Sequence, residues 1–122
     1  SPGQKSAAIL SFLLSYGSDP LVLDQPEDDL DNSLIMKLVV KQLHINKQRR
    51  QLIIATHNPN IVVNGDSEQV CVMKFAGGQI RMECQNSIDD LRIRKNICDI
   101  MEGGEEAFKK RYGRMIGGGE NV

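Results

Sequence analysis

Apolar and polar positions follow three different spacings along this chain, and each change of spacing marks an element. From Gln4 to Tyr16 the residues are apolar almost all round a helical wheel, which predicts a buried helix. Gly17-Ser18-Asp19-Pro20 is a turn, and Leu21 to Asp24 is a short, fully apolar strand of the parallel-sheet kind. Asp31 or Asn32 can N-cap a helix reaching about His44, with Leu34, Ile35, Leu38, Val39 and Leu43 on one stripe. Lys47 to Arg50 is a basic connector, and Leu52 to Thr56 is a second buried strand. Strand, helix and strand of these lengths make a βαβ unit with a right-handed crossover.

Beyond residue 69 the pattern changes. Val70–Phe75 and Gln79–Cys84 flank Ala76-Gly77-Gly78, a hairpin signal, and the second strand alternates as a pair with one wet face would. Ser87 can cap a helix with Asp90 at its N3 position, its face supplied by Ile88, Leu91, Ile97, Ile100 and Met101. Gly103-Gly104 ends that helix, and Glu105 to Met115 forms a last one with Phe108 and Tyr112 inward. The expectation is an α/β fold: a short parallel βαβ core, a β-hairpin and two C-terminal helices. Residues 1–116 form the domain and residues 117–122 a flexible tail. No internal repeat is present.

Composition narrows the function classes. The chain has 122 residues, 40% apolar and 25% charged, ordinary values for one soluble domain. A net charge of −1 creates no global field toward nucleic acid or membrane. Neither a signal peptide nor an apolar stretch of spanning length occurs, so no membrane partner is expected. Cys71, Cys84 and Cys98 are odd in number and widely spaced, which argues against zinc or a disulfide framework. Small buried hydrophobes in a reducing cytoplasm are the expectation.

The candidate chemistry lies where the first strand ends. Leu21-Val22-Leu23-Asp24-Gln25-Pro26-Glu27-Asp28-Asp29-Leu30-Asp31-Asn32 passes from aliphatics to five acidic residues within eight positions. Strand ends of this kind bind ligands in open α/β folds. A carboxylate at Asp24, beside phosphates, can hold magnesium, which prefers hard oxygen ligands. Upstream, Ser1-Pro2-Gly3-Gln4-Lys5 opens a helix whose serine hydroxyl, glycine amide and N-terminus suit an anion. Downstream, Ile53-Ile54-Ala55-Thr56-His57-Asn58-Pro59 delivers a histidine to a strand end, whereas His44, at a helix end, reads as structural.

This order of motifs resembles the C-terminal half of an ABC-type ATPase head, itself a P-loop NTPase lobe: signature motif, Walker B strand, D-loop and H-switch. Asp24-Gln25-Pro26-Glu27-Asp28-Asp29-Leu30-Asp31-Asn32 and Thr56-His57-Asn58-Pro59-Asn60 are similar to bacterial SMC-like ATPases of the DNA-repair branch, some fused to PHP-type phosphoesterase domains. The resemblance covers residues 1–75 through motifs, and Met101 to Phe108 fits the same group more loosely. It implies magnesium at Asp24, and ATP held between two heads by Ser1, Gly3, Gln4 and Asp31 in trans. It also implies a γ-phosphate contact from His57. The family usually has glutamate after the Walker B aspartate, but here the residue is Gln25, which can orient a water without taking its proton. Glu27, presented by the stiff Pro26, is the alternative water-positioner. No G-x-x-x-x-G-K-[ST] loop occurs, so this chain reads as a fragment inactive by itself, with slow hydrolysis expected in the intact ATPase. The partners implied are ATP, a second head in a homodimer and, by family analogy, DNA.

Two other readings compete: a non-catalytic dimerisation or interaction module, and a metal-dependent nuclease with Asp24, Glu27 and Asp28 as ligands. Basic clusters at Lys47, Arg49 and Arg50, at Arg92, Arg94 and Lys95, and at Lys109, Lys110, Arg111 and Arg114 read as solvated faces, since acids are interleaved and stacking aromatics are lacking. The apolar strand Leu21–Asp24 has an edge expected to promote association in solution.

Overall fold

The structure, a computed structural model, describes residues 1–117; the rest of the expected tail at 117–122 lies outside the described residues. The chain divides into two compact units, Ser1–Ser67 and one that begins at Glu68.

The first unit is built on two parallel strands. Helix α1 (Pro2–Ser15) precedes strand β1 (Leu21–Asp24). A helical run then passes from α2 (Asn32–Leu34) through a π-helical segment (Ile35–Val40) into α3 (Lys41–Asn46), and strand β2 (Leu52–Ala55) follows. β1 and β2 pair in parallel, Leu21 opposite Leu52 and Asp24 opposite Ala55. The expected βαβ unit is therefore present, with wider i→i+5 turns in the middle of its helix. Beneath the strands lies the core: Leu10 and Leu14 of α1, Leu23 of β1, then Ile35, Val39, Val40, Leu43 and Ile61. The stripe Ile35, Val39, Leu43 accounts for the helix packing as the spacing predicted. A second π-helical turn, Asn60–Asn64, brings Ile61 into that core.

α1 is not buried all round. Leu10 and Leu14 are buried, but Ile9, Phe12, Leu13 and Tyr16 are exposed, with the Phe12 and Tyr16 rings 4.8 Å apart. β1 and β2 likewise turn Val22 and Ile53 outward. The reason is geometric: one two-stranded sheet and one helical run cover only one side of an apolar element.

The basic connector, with Gln48 and Arg49 exposed, also reaches back to α1. Arg49 donates through Nη2 to the Leu14 carbonyl (2.5 Å), and Arg50 donates to the carbonyls of Tyr16 (2.8 Å) and Leu13 (2.7 Å). The two guanidinium groups thus satisfy carbonyls at the C-terminal end of α1, which no intrahelical donor can reach. Asn46, 1% exposed, accepts from Arg49 Nη2 (2.8 Å) and donates to the Gln42 carbonyl (2.8 Å). Lys47 donates to Asp66, both to its carbonyl and to its carboxylate. His44 Nε2 lies 2.8 Å from the Asn64 carbonyl, a structural tie as expected.

In the second unit, β3 (Val70–Ala76) and β4 (Gln79–Asn86) form the expected antiparallel hairpin, with a bulge between Val72 and Met73. Gly77 and Gly78 both have positive φ, which is why glycines occupy the turn. Helix α4 (Leu91–Met101) contacts both strands, and α5 (Glu105–Met115) follows it. The cap of α4 is Asp90, not Ser87: Asp90 Oδ1 accepts from the Arg92 amide (2.7 Å), while Ser87 Oγ accepts from Asp89 N (3.2 Å) in the turn before it. Of the expected face Ile97 is buried, joined by Ile93, whereas Leu91 and Ile100 are exposed. In α5, Phe108 and Tyr112 are 43% and 56% exposed rather than inward. This helix buries none of its residues and carries the ion pairs Glu105–Lys109 and Glu106–Lys110, with Arg111 on Glu102. The cysteines also depart from expectation: Cys71 is exposed, and Cys84 and Cys98 are half-buried.

Two outcomes follow from these contacts. Asn46→Ala should lower stability by about 2 kcal/mol in chemical denaturation, because the buried amide that ties Arg49 to the Gln42 carbonyl is removed. At the α4 cap, the side-chain hydrogen bond from Arg92, joined by its backbone amide, holds the Asp90 carboxyl below its usual 3.8. A carboxyl lowered on folding stabilises fully above its ordinary pKa and loses that contribution as pH falls through the lowered value. Acid titration followed by circular dichroism should therefore show Asp90→Asn closing its stability gap with the parent protein only below about pH 4.

Candidate functional site

The parallel pairing of β1 and β2 carries both strand ends to one edge. The ladder continues one step past β1, since Gln25 N donates to the Ala55 carbonyl (2.7 Å). There the chain breaks from extended geometry: Gln25 has φ 46°, and Asp29, four residues on, has φ 64°. Left-handed backbone at non-glycine residues costs on the order of 1 kcal/mol each and concentrates at functional loops. Two local bonds, Asp28 N to Gln25 O (3.1 Å) and Leu30 N to Glu27 O (3.0 Å), hold the acidic loop in this shape.

That loop sorts its carboxylates. Asp24 and Gln25 are exposed at the strand end, as are Asp28 and Asp29. Glu27 is the opposite, 5% exposed, with its side chain turned to the end of β2. Its Oε1 accepts from the Thr56 hydroxyl (2.5 Å) and from the His57 amide (3.4 Å). Thr56 Oγ1 in turn accepts from the Asn58 amide (3.0 Å), and Asn58 Oδ1 from the Asn60 amide (2.9 Å). The His57 ring is 68% exposed, with Nδ1 3.8 Å from Glu27 Oε1. Glu27 Oε2 is buried without a hydrogen-bond partner.

The first turn of α1 meets the same loop. A Cβ on Gly3 would lie 2.5 Å from the Asp29 carbonyl oxygen, so only glycine permits this approach. Pro2 occupies the first helical position, which suits its fixed φ and missing amide. Ser1 and Gln4 close a capping box: Ser1 Oγ accepts from Gln4 N (3.3 Å), and the Ser1 nitrogen donates to Gln4 Oε1 (3.1 Å). Asp31 caps the following helix, Oδ1 accepting from Leu34 N (2.8 Å).

Of the residues singled out from sequence, the structure therefore brings Glu27 and His57 into one network and sets Gly3 against the acidic loop. It gives Ser1, Gln4 and Asp31 capping bonds. Asp24 and Gln25 stand at the strand end with their side chains exposed. Thr56, the hydroxyl that joins Glu27 to the turn after β2, was missed; its signal was a polar residue closing an apolar strand beside a histidine.

The exposed side chains of Asp24, Gln25, Asp28 and Asp29 at the β1 end carry oxygen donors. Oxygen donors of this kind are those a hard divalent cation takes. Among the described residues, however, no three His, Cys, Asp or Glu side chains form a metal-holding group. The trio Asp24, Glu27 and Asp28 expected of a nuclease is not assembled, because Glu27 points to Thr56 instead.

An acidic loop at the carboxyl edge of a parallel pair stands where open α/β folds bind their ligands. The family profile described as "AAA domain, putative AbiEii toxin, Type IV TA system" matches residues 1–64. The chain belongs to that family, whose members are related to P-loop ATPases and generally use Mg-ATP. No curated protein matches the chain. No helix among the described residues is long and apolar enough to cross a membrane.

Gly3→Ala tests the close approach of α1 to the loop. It should destabilise the first unit by about 1–3 kcal/mol, read as a lower denaturant midpoint, because the Asp29 backbone must move to admit a methyl group.

Proposed function

We propose that this chain is the second half of an SMC-like ATPase head that binds Mg-ATP between two associated heads and hydrolyses it slowly. The observation that carries the reading is the single edge at which β1 delivers Asp24 and Gln25 and β2 delivers His57, with the N-terminus of α1 against the same loop. Asp24 holds magnesium, which when bound neutralises charge on the phosphate oxygens. Gln25, exposed and set in left-handed backbone, orients the attacking water through its amide but takes no proton from it, which makes turnover slow. The His57 ring, exposed above a fixed backbone, contacts the γ-phosphate. Ser1, Gly3, Gln4 and Asp31 face the nucleotide held by the partner head, where the positive end of α1 favours phosphate. The output is head association coupled to DNA maintenance, repair or defence, in a cytoplasmic protein in which PHP-type phosphoesterase domains can accompany the head. Residues 1–116 act as one functional part of that head.

A second reading, a non-catalytic interaction module, is favoured by the exposed apolar row Ile9, Phe12, Leu13 and Tyr16 on α1.

The experiment compares ATP hydrolysis by the intact ATPase, in which this chain joins a phosphate-loop lobe, with its Asp24→Asn variant. Loss of turnover by about 100-fold or more, with the fold intact, is the expected result. Turnover unchanged by the substitution would sink the ATPase assignment of Asp24. Absence of both turnover and nucleotide binding would favour the interaction module.

A further inference from the structure

The most unusual group in the molecule is a carboxylate taken out of water to hold a backbone. Glu27 is 5% exposed, and its Oε1 accepts from both the Thr56 hydroxyl and the His57 amide. The hydroxyl donates to Oε1 at 2.5 Å, a short hydrogen bond. The same hydroxyl accepts from the Asn58 amide, so one carboxylate oxygen and one hydroxyl fix two successive amides just past β2. The imidazole between those amides is left outside the arrangement, 68% exposed and beyond hydrogen-bond distance of Glu27.

We propose that Glu27 is a positioning residue rather than the water-positioner. Through Thr56 it latches the backbone of His57 to the acidic loop while leaving the ring free to swing toward a ligand. The loop that carries Asp24 and Gln25 and the turn that carries His57 then move as one piece, because a displacement of either breaks a buried bond. For its consequence in catalysis this rests on the ATPase reading above; the latch itself does not.

The test has two arms. In the first, amide hydrogen exchange is measured on this chain for the parent protein and for Thr56→Val, Thr56→Ser, Glu27→Ala and Glu27→Gln. The His57 and Asn58 amides should exchange at least about 10-fold faster in Thr56→Val and Glu27→Ala, beyond any change at the core amides of Leu14 and Val39. Thr56→Ser and Glu27→Gln, which keep a hydroxyl and an acceptor oxygen, should stay close to the parent. If Glu27→Ala does not fold, Thr56→Val carries the comparison, since it is nearly the same size as threonine. Unchanged His57 and Asn58 exchange in Thr56→Val overturns the latch.

The second arm measures kcat and KM for ATP in the intact ATPase. Thr56→Val should lower kcat about 10-fold with KM little changed, and Glu27→Gln should retain most of the activity. Loss of turnover in Glu27→Gln as deep as in Glu27→Ala, with exchange normal, would make Glu27 a direct participant and overturn the proposal. A parent ATPase without turnover would count against the function proposed above and leave the exchange arm to decide the latch.

Discussion

The parallel pairing of Leu21–Asp24 with Leu52–Ala55 is the constraint on which the first unit depends. It is short, and its register has to be right to the residue. A slip of one position would turn every side chain of a strand to the other face, putting Leu23 outside and Val22 in the core. The register is held by the apolar side of the sheet, where Leu23 joins Ile35, Val39 and Leu43, with Leu21, Leu52 and Ile54 packed against them. One bond beyond the ladder, Gln25 N to Ala55 O, then determines where the acidic loop begins.

From that pairing the site inherits its division between what is anchored and what is presented. Glu27 is drawn inward because Thr56 and the His57 amide lie at the end of the paired strand, within reach of a carboxylate three residues past Asp24. Asp24, Gln25 and the His57 ring remain on the outside. The left-handed backbone at Gln25 and Asp29 is the cost of so sharp a loop. It is offset by the buried Glu27–Thr56 bond and by the contact of the loop with Gly3.

Helix α1 is held at both ends by different chemistry. Its first turn fits against the Asp29 carbonyl only because residue 3 lacks a side chain. Its last carbonyls are taken by Arg49 and Arg50, which lie just before β2. The helix capped by Ser1 is thereby fastened to the strand that leads to His57. The basic connector is a clasp between elements.

Much of the fold was legible in the chain because local patterns were strong. β1 was bounded by an apolar run and an acidic break, the hairpin by Ala76-Gly77-Gly78, and α5 by Gly104 and a row of i,i+4 charge pairs. These signals act within a few residues, so no distant contact was needed to read them. The acidic strand end and the strand-end histidine were legible for the same reason, and the family assignment over residues 1–64 agrees with the P-loop ATPase character they implied. Tertiary structure decided the rest. Which side of α1 is buried, whether Ser87 or Asp90 caps α4, and where Arg49 and Arg50 reach all depend on neighbours 30 or more residues away or on a competition between two equally good local caps. The same holds for Glu27. Sequence could place a carboxylate near a strand end, but only the pairing of β1 with β2 could put Thr56 within 2.5 Å of it and take it out of solvent. Local chemistry is written in neighbouring residues; burial and partnership are properties of the packed chain.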